Sequence, residues 1–172
     1  AALSESEWAM PPINEPQFKL EAIQDVRIQH EDCTGYASCL LEGIDLTQET
    51  PQWMKNRLLN TGYVLTNLVV DVINYVMLET GQSMHGFDFD KLSGTIEVAC
   101  SSGESFNALN QSTCSLDNET MIIKDEKGVL AIAGVIGGLD SAIAPETTRV
   151  LLESARFSPQ SVRKASKQHQ FH

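Results

Sequence analysis

The stretch from Asn67 to Asp88, NLVVDVINYVMLETGQSMHGFD, constrains the chain most. Val69, Val72, Ile73, Val76 and Met77 stand at i, i+3, i+4, i+7 and i+8, the spacing of one apolar helix face. Gly81 follows as a C-terminal stop. The other side carries Asn67, Asp71 and Asn74 at i, i+4 and i+7, and no Lys or Arg occurs between Leu58 and Asp90. A solvated helix face is normally rich in Lys and Glu. Short polar side chains with one carboxylate instead predict a face set against other protein or lining a pocket. Past Gly81 the chain breaks and delivers His85, Phe87 and Asp88 in a loop.

Composition bounds the rest. With 172 residues and 42% apolar side chains, the chain suits one domain, or two small lobes sharing a core, and disorder is not expected. It has no run of about 18 apolar residues, so no membrane span is expected. Residues 1–17 have no basic then apolar leader pattern and read as a flexible lead or linker. A net charge of −11 argues against a broad nucleic-acid footprint and against DNA; any RNA contact should be confined to a small part, such as a terminus carrying a cargo. Cys33, Cys39, Cys100 and Cys114 lack C-x-x-C spacing, which predicts free thiols in a reducing cytoplasm. His169 and His172 form H-x-x-H with no Cys nearby, so no metal site is expected.

The order of elements predicts an α+β fold, a β-rich single domain of layered sheets and a few packed helices. Phe18 to Ile23, Val26 to His30 and Tyr36 to Ile44 read as strands. Thr50-Pro51 reads as a cap followed by Pro at the first helical position, with Trp53, Met54 and Leu58 on one side and Gly62 as the stop. Strands are expected over Thr95 to Cys100, Ser105 to Leu109, Met121 to Lys124 and Arg149 to Arg156. The run Val129 to Gly138 is small, apolar and Gly-rich. Ser158-Pro159 repeats the cap signal and opens a helix to about Lys167.

Four groups of residues can carry chemistry. His85 has the side chain that titrates nearest neutrality and can exchange a proton or orient water. The Asn74 amide both donates and accepts, which suits a ribose, an ester carbonyl or water. Gly134, Gly137 and Gly138 let backbone approach a ligand closely. Glu153 sits among apolar neighbours in VLLESA, and alternation puts Leu151, Glu153 and Ala155 on one strand face, which suggests a partly buried carboxylate in need of a partner. From the residues alone each also fits a structural role: a loop histidine, a packing amide, turn glycines, an edge-strand glutamate. Asp88 or Asp71 paired with Glu153 is a further, weaker arrangement, and Asp88 fits better as a tie for the loop after His85.

These motifs also carry a resemblance. NLVVDVINYVMLETGQSMHGFD, the preceding WMKNRLLNTGYVLT, the FDFDKLSGTIEV run, the AIAGVIGG run and VLLESA together resemble the tRNA-editing domain in the beta subunit of bacterial-type phenylalanyl-tRNA synthetases. The likeness runs from about Phe18 to the end, so residues 18–172 read as that domain within a longer polypeptide. It implies a β-rich α+β fold with no cofactor of its own. The implied activity is hydrolysis of tyrosine misattached to phenylalanine-specific tRNA. His85 and Asn74 would serve the hydrolysis, the Gly134 backbone would hold the amino acid, and Gly137 and Gly138 would keep the pocket open. Glu153 would bind the tyrosine hydroxyl. The implied partners are the aminoacylated 3′ end of tRNA, the synthetase alpha subunit and the remaining beta-subunit domains. Ile73 stands where the family has Thr, and Val64-Leu65 where it has Arg-Pro. These departures leave room for a second reading, a catalytically degenerate scaffold or amino-acid-binding module of the same fold.

Overall fold

A computed structural model of the chain describes residues 24–171. The lead over 1–17, the strand expected over Phe18 to Ile23 and His172 of the H-x-x-H pair lie outside the described residues. The observed architecture is the α+β fold the sequence predicts, with three α-helices and ten strands among the described residues.

A three-stranded antiparallel sheet has the order β2 (Cys33–Glu42), β10 (Arg149–Phe157), β3 (His85–Asp88). A five-stranded sheet has the order β1 (Val26–Ile28), β4 (Ile96–Cys100), β7 (Met121–Lys124), β8 (Val129–Ile132), β9 (Ile136–Gly137); only the β1–β4 pairing is parallel. A small hairpin, β5 (Ser105–Asn107) with β6 (Thr113–Ser115), completes the strands.

Strand alternation builds the layers. Phe87 and Leu151 of the three-stranded sheet pack on Ile96, Val98, Met121, Ile123 and Leu130 of the five-stranded sheet, forming the main core. The opposite face of the three-stranded sheet, through Val150 and Leu152, takes Val69 and Ile73 of α2 (Leu68–Thr80). The far face of the five-stranded sheet, through Ile122 and Ile132, takes Phe106 and Leu116 of the hairpin region and Ala165 of α3 (Pro159–Gln168).

The α2 helix begins and ends where local chemistry dictates. Asn67 caps it by accepting the Val70 N–H at 3.0 Å, and Gly81 closes it in the left-handed conformation, donating to the Met77 carbonyl at 2.8 Å. One expectation needs correction here. Val72 is not on the buried stripe; it is 37% exposed, while Val69 and Ile73 are buried. Asp71 is set against other protein, one of the two placements expected of its face. It is 2% exposed and accepts from the Thr66 N–H at 3.0 Å and the Thr50 hydroxyl at 2.5 Å. That use of Thr50 explains a second difference. Helix α1 (Gln52–Asn60) starts after Pro51, with no side-chain cap, because the Thr50 hydroxyl is committed to Asp71. Trp53 faces outward at 52% exposure, edge-on to Tyr75, while Met54 and Leu58 are buried.

The largest departure is β3. HGFD reads as a loop in the sequence, but it is a strand on the edge of the three-stranded sheet. Gly86 suits this packing: a Cβ there would lie 3.2 Å from Ile73 Cδ1 and 3.0 Å from Ile143 Cδ1, so any side chain would push these neighbours back by a few tenths of an ångström. Asp88 closes the strand by accepting the Asp90 N–H at 3.1 Å and the Thr147 hydroxyl at 2.6 Å, the loop-tying role expected of it. Asp88 and Asp71 are both engaged elsewhere, so neither pairs with Glu153.

Among the described residues no helix is long and apolar enough to cross a membrane. The four cysteines are free thiols.

Candidate functional site

Strand β10 is central, not an edge: β2 and β3 flank it. Its register places Glu153 opposite Ser38 on one side and opposite His85 on the other. Directly opposed residues of an antiparallel pair share a face, with Cβ atoms about 4.5–5.5 Å apart. Glu153 and His85 are therefore neighbours on the face turned toward the five-stranded sheet.

A cavity of about 190 Å³ opens between the two sheets at this point. Glu153, Ala155 and Phe157 of β10 line it, with His85, Ile123 and the segment from Gly134 to Gly137. The lining contains no Lys or Arg. Glu153 is 5% exposed and has no hydrogen-bond or ion-pair partner among the described residues. Burial without a counter-charge disfavours its ionised form and pushes its pKa up to about 7. A carboxyl group in this condition is ready to accept a hydrogen bond from whatever enters.

His85 is held edge-on against Phe87, with ring centroids 4.6 Å apart. Its Nε2 is shielded from solvent and has no hydrogen-bond partner among the described residues. Burial pulls its pKa down to about 4. The imidazole is neutral at physiological pH, so it serves as a donor or acceptor that orients a group and not as a cation. Its low basicity also makes it a weak general base.

The glycines divide. Gly137 lies directly over the imidazole: a Cβ there would stand 2.5 Å from His85 Cε1 and 2.7 Å from Nε2. Gly134 is in the left-handed conformation at φ +70°, and a Cβ would also press on Val162 at 2.7 Å. Both line the cavity. Gly138 does not. It bridges to Ala108, donates to the Leu130 carbonyl at 2.7 Å, and a Cβ would strike that carbonyl and the Phe106 ring. Its bareness serves strand packing behind the cavity, which corrects the expectation that it keeps the pocket open.

Asn74 reaches a second cavity, about 410 Å³, on the α2 side, lined by Thr66, Asn67, Ile73, Leu109 and others. His85 and Met84 line both spaces. Four of the six sequence-predicted residues, His85, Glu153, Gly134 and Gly137, thus meet at one cavity; Asn74 lies next door across β3, and Gly138 lies outside. Ser83, Met84 and Phe157 also line the cavity, and nothing in their types marks them in the sequence. Phe157 and Ala155 follow from the alternation of β10 once its inner face is known.

No cluster of three or more His, Cys, Asp or Glu side chains able to hold a metal occurs among the described residues. His169 Nε2 instead meets the Thr120 hydroxyl at 2.8 Å.

Comparison with known proteins adds an independent line. The B3/4 domain family matches residues 32–172. The phenylalanine–tRNA ligase beta subunit of Francisella tularensis subsp. tularensis is 40% identical over 174 residues, covering 100% of this chain and 22% of that protein. The corresponding subunit of Aquifex aeolicus is 42% identical over 154 residues, 89% of this chain and 20% of that protein. The chain thus spans about a fifth of the length of these curated relatives. A crystal structure of an N-terminal fragment of the phenylalanyl-tRNA synthetase beta subunit from Pyrococcus horikoshii superposes with a TM-score of 0.59, covering 87% of this chain and 48% of that one at 15% identity, a likeness of fold.

Proposed function

The chain belongs to the B3/4 domain family, and on that premise we propose that it is the post-transfer editing module of a phenylalanyl-tRNA synthetase beta subunit, hydrolysing the ester between tyrosine and phenylalanine-specific tRNA. The observation that carries this reading is the pairing of His85 with Glu153 across the β3–β10 register in the lining of one cavity. Synthetases need such a second site when one binding step cannot discriminate well enough.

The aromatic ring of the amino acid would enter between the sheets, with its hydroxyl on Glu153. The bare backbone at Gly134 and at Gly137 would flank its α-carbon. The ester and the 3′-terminal ribose would lie toward His85, with Asn74 reaching from the adjoining cavity. The neutral imidazole and the amide would orient a water onto the carbonyl. The tRNA would present only its 3′ end to a domain this acidic, and the alpha subunit and the remaining beta-subunit domains would hold the rest, in the cytoplasm.

The editing site must accept the amino acid that carries one hydroxyl more. An apolar pocket would favour phenylalanine. A buried acceptor reverses that: with phenylalanine bound, Glu153 loses both its donor and its water. An unpartnered buried polar group costs about 1–3 kcal/mol, which at about 1.4 kcal/mol per tenfold gives about 5- to 150-fold preference for tyrosine. In the complete synthetase, Glu153→Ala should lose the ratio of tyrosyl- to phenylalanyl-tRNA deacylation more than it loses hydrolysis itself. An unchanged ratio would remove Glu153 from the site.

One observation favours the second reading, a degenerate scaffold: Ile73 presents an apolar side chain to the second cavity beside Asn74. Absence of tyrosyl-tRNA deacylation by the complete synthetase would select it.

A further inference from the structure

Of the residues that line the cavity between the sheets, Ser83 and Gly134 are the exposed ones, so its mouth lies between the α2–β3 connection and the β8–β9 connection. Packing sets the Gly134 side of the mouth, where a Cβ would stand 2.7 Å from Val162 Cγ2 and 3.1 Å from Phe157 Cδ2. A side chain sets the Ser83 side. In the β3–β10 register His85 is opposite Glu153, and the next pair of that ladder would put Ser83 opposite Ala155. The pairing stops before it. Along a strand, backbone groups of adjacent residues point to opposite sides and those two apart to the same side. The Arg156 carbonyl is on the β2 side, where it accepts from the Thr34 hydroxyl at 3.3 Å. The Glu153 and Ala155 carbonyls therefore point toward β3.

The Gln82 amide stands where the Ser83 N–H would close that next rung. Its Nε2 donates to the Ala155 carbonyl at 3.0 Å and to the Ser83 carbonyl at 2.9 Å. An amide nitrogen has two donors, and here they join carbonyls on the two sides of the gap. The ladder hydrogen bond is replaced by a bracket one NH2 group wide, which holds apart Ser83 and Ala155, both in the cavity lining. Among the described residues this is the only hydrogen bond that ties residues 82–84 to β10. The Gln82 backbone is itself anchored behind the left-handed Gly81: its N–H donates to the Thr80 hydroxyl at 3.2 Å, and that hydroxyl donates to the Val76 carbonyl at 2.7 Å. The side chain thus starts from the fixed end of α2.

We propose that Gln82 is a positioning residue for this cavity: its amide occupies the rung after His85, which clamps His85 opposite Glu153 at the end of β3 and sets the width of the mouth through which a ligand enters. What enters rests on the editing reading, but the bracket is a property of the chain itself. A carboxylate of the same shape at this position has no donor. It would face the Ala155 and Ser83 carbonyls with acceptors alone, leave them, and untie the connection from β10. Tyrosyl and phenylalanyl esters pass the same mouth, so the loss falls on both alike. The choice between them is made deeper, at Glu153.

The test compares Gln82→Glu, which keeps the shape and removes the donors, with Gln82→Ala, which removes them without adding charge. In the 172-residue chain at pH 7, amide hydrogen exchange followed by NMR should speed up at His85 by about tenfold or more in both variants. The urea unfolding midpoint should stay at the parent value, because Gln82 is exposed. Unchanged exchange at His85 overturns the proposal. So does a fall in the midpoint that accounts for the faster exchange, or an effect of Gln82→Glu that Gln82→Ala does not share. In the complete synthetase, single-turnover deacylation of tyrosyl- and of phenylalanyl-tRNA should each fall by about tenfold, with the ratio between them kept. A changed ratio, or parent-like rates while exchange at His85 speeds up, overturns the role at the mouth. Failure of the parent enzyme to deacylate tyrosyl-tRNA would defeat the editing reading alone, and the exchange arm would still decide the bracket.

Discussion

Replacing Glu153 by Gln should make the domain more stable at pH 8 and no more stable at pH 4. The carboxyl is 5% exposed, and its pKa rises from the ordinary 4.5 to about 7 through burial. The folded state thus holds this proton more tightly than the unfolded state. Between pH 4.5 and 7 the native chain binds more protons than the unfolded one, so its stability falls as pH rises, and the loss is complete above about pH 7. At about 1.36 kcal/mol per pKa unit, burial accounts for about 3 kcal/mol. The gain expected for Glu153→Gln is therefore up to about 3 kcal/mol at pH 8. Below pH 4.5 both side chains are neutral and of similar shape, and the two proteins should be of nearly equal stability. The assay is urea unfolding of the 172-residue chain at the two pH values, with the m-value as a check that the unfolded state is unchanged. A gain below about 1 kcal/mol at pH 8, or an equal gain at pH 4, would refute the argument from burial. The same substitution should weaken the preference for tyrosyl ester in the complete enzyme, since an amide oxygen still accepts but carries no charge.

Two further substitutions probe the walls. Gly137→Ala would place a methyl 2.5 Å from His85 Cε1 and 3.0 Å from Leu109 Cδ1, and the imidazole is backed by Phe87; overpacking of this kind costs about 1–3 kcal/mol, and tyrosine clearing should fall by at least tenfold while phenylalanine attachment persists. Normal clearing by a folded Gly137→Ala enzyme would take the glycine out of the site. Ile73→Thr supplies the hydroxyl that Ile73 lacks beside Asn74, and should raise the rate of clearing while lowering stability by about 1–3 kcal/mol, because Ile73 is 7% exposed and packs on Val150. Single-turnover deacylation together with a melting curve separates the two effects, and an unchanged or lower rate would show that the apolar side chain is neutral.

What the sequence determined by itself is what short-range chemistry determines. The limits of α2 follow from a capping amide at Asn67 and a left-handed glycine at Gly81, each satisfied within four residues of chain. Strand β7 occupies the Met121–Lys124 segment that its composition marks, and the VLLESA run is a strand whose inner face carries Glu153. The residue types able to do chemistry were equally legible. The tertiary structure decided where they meet. HGFD contains a glycine and follows a helix stop, so locally it reads as a loop; it becomes β3 because β10 offers it a hydrogen-bonding edge and α2 packs over Gly86. The register of that pairing sets His85 against Glu153, and a slip of one residue would send His85 to the opposite face. Packing likewise separated Gly137, which covers the imidazole, from Gly138, which fits against β8. Helix caps and periodicity act between residues a turn apart and are written along the chain. Strand partners and their register depend on which distant surfaces bury each other, and no local pattern records that choice.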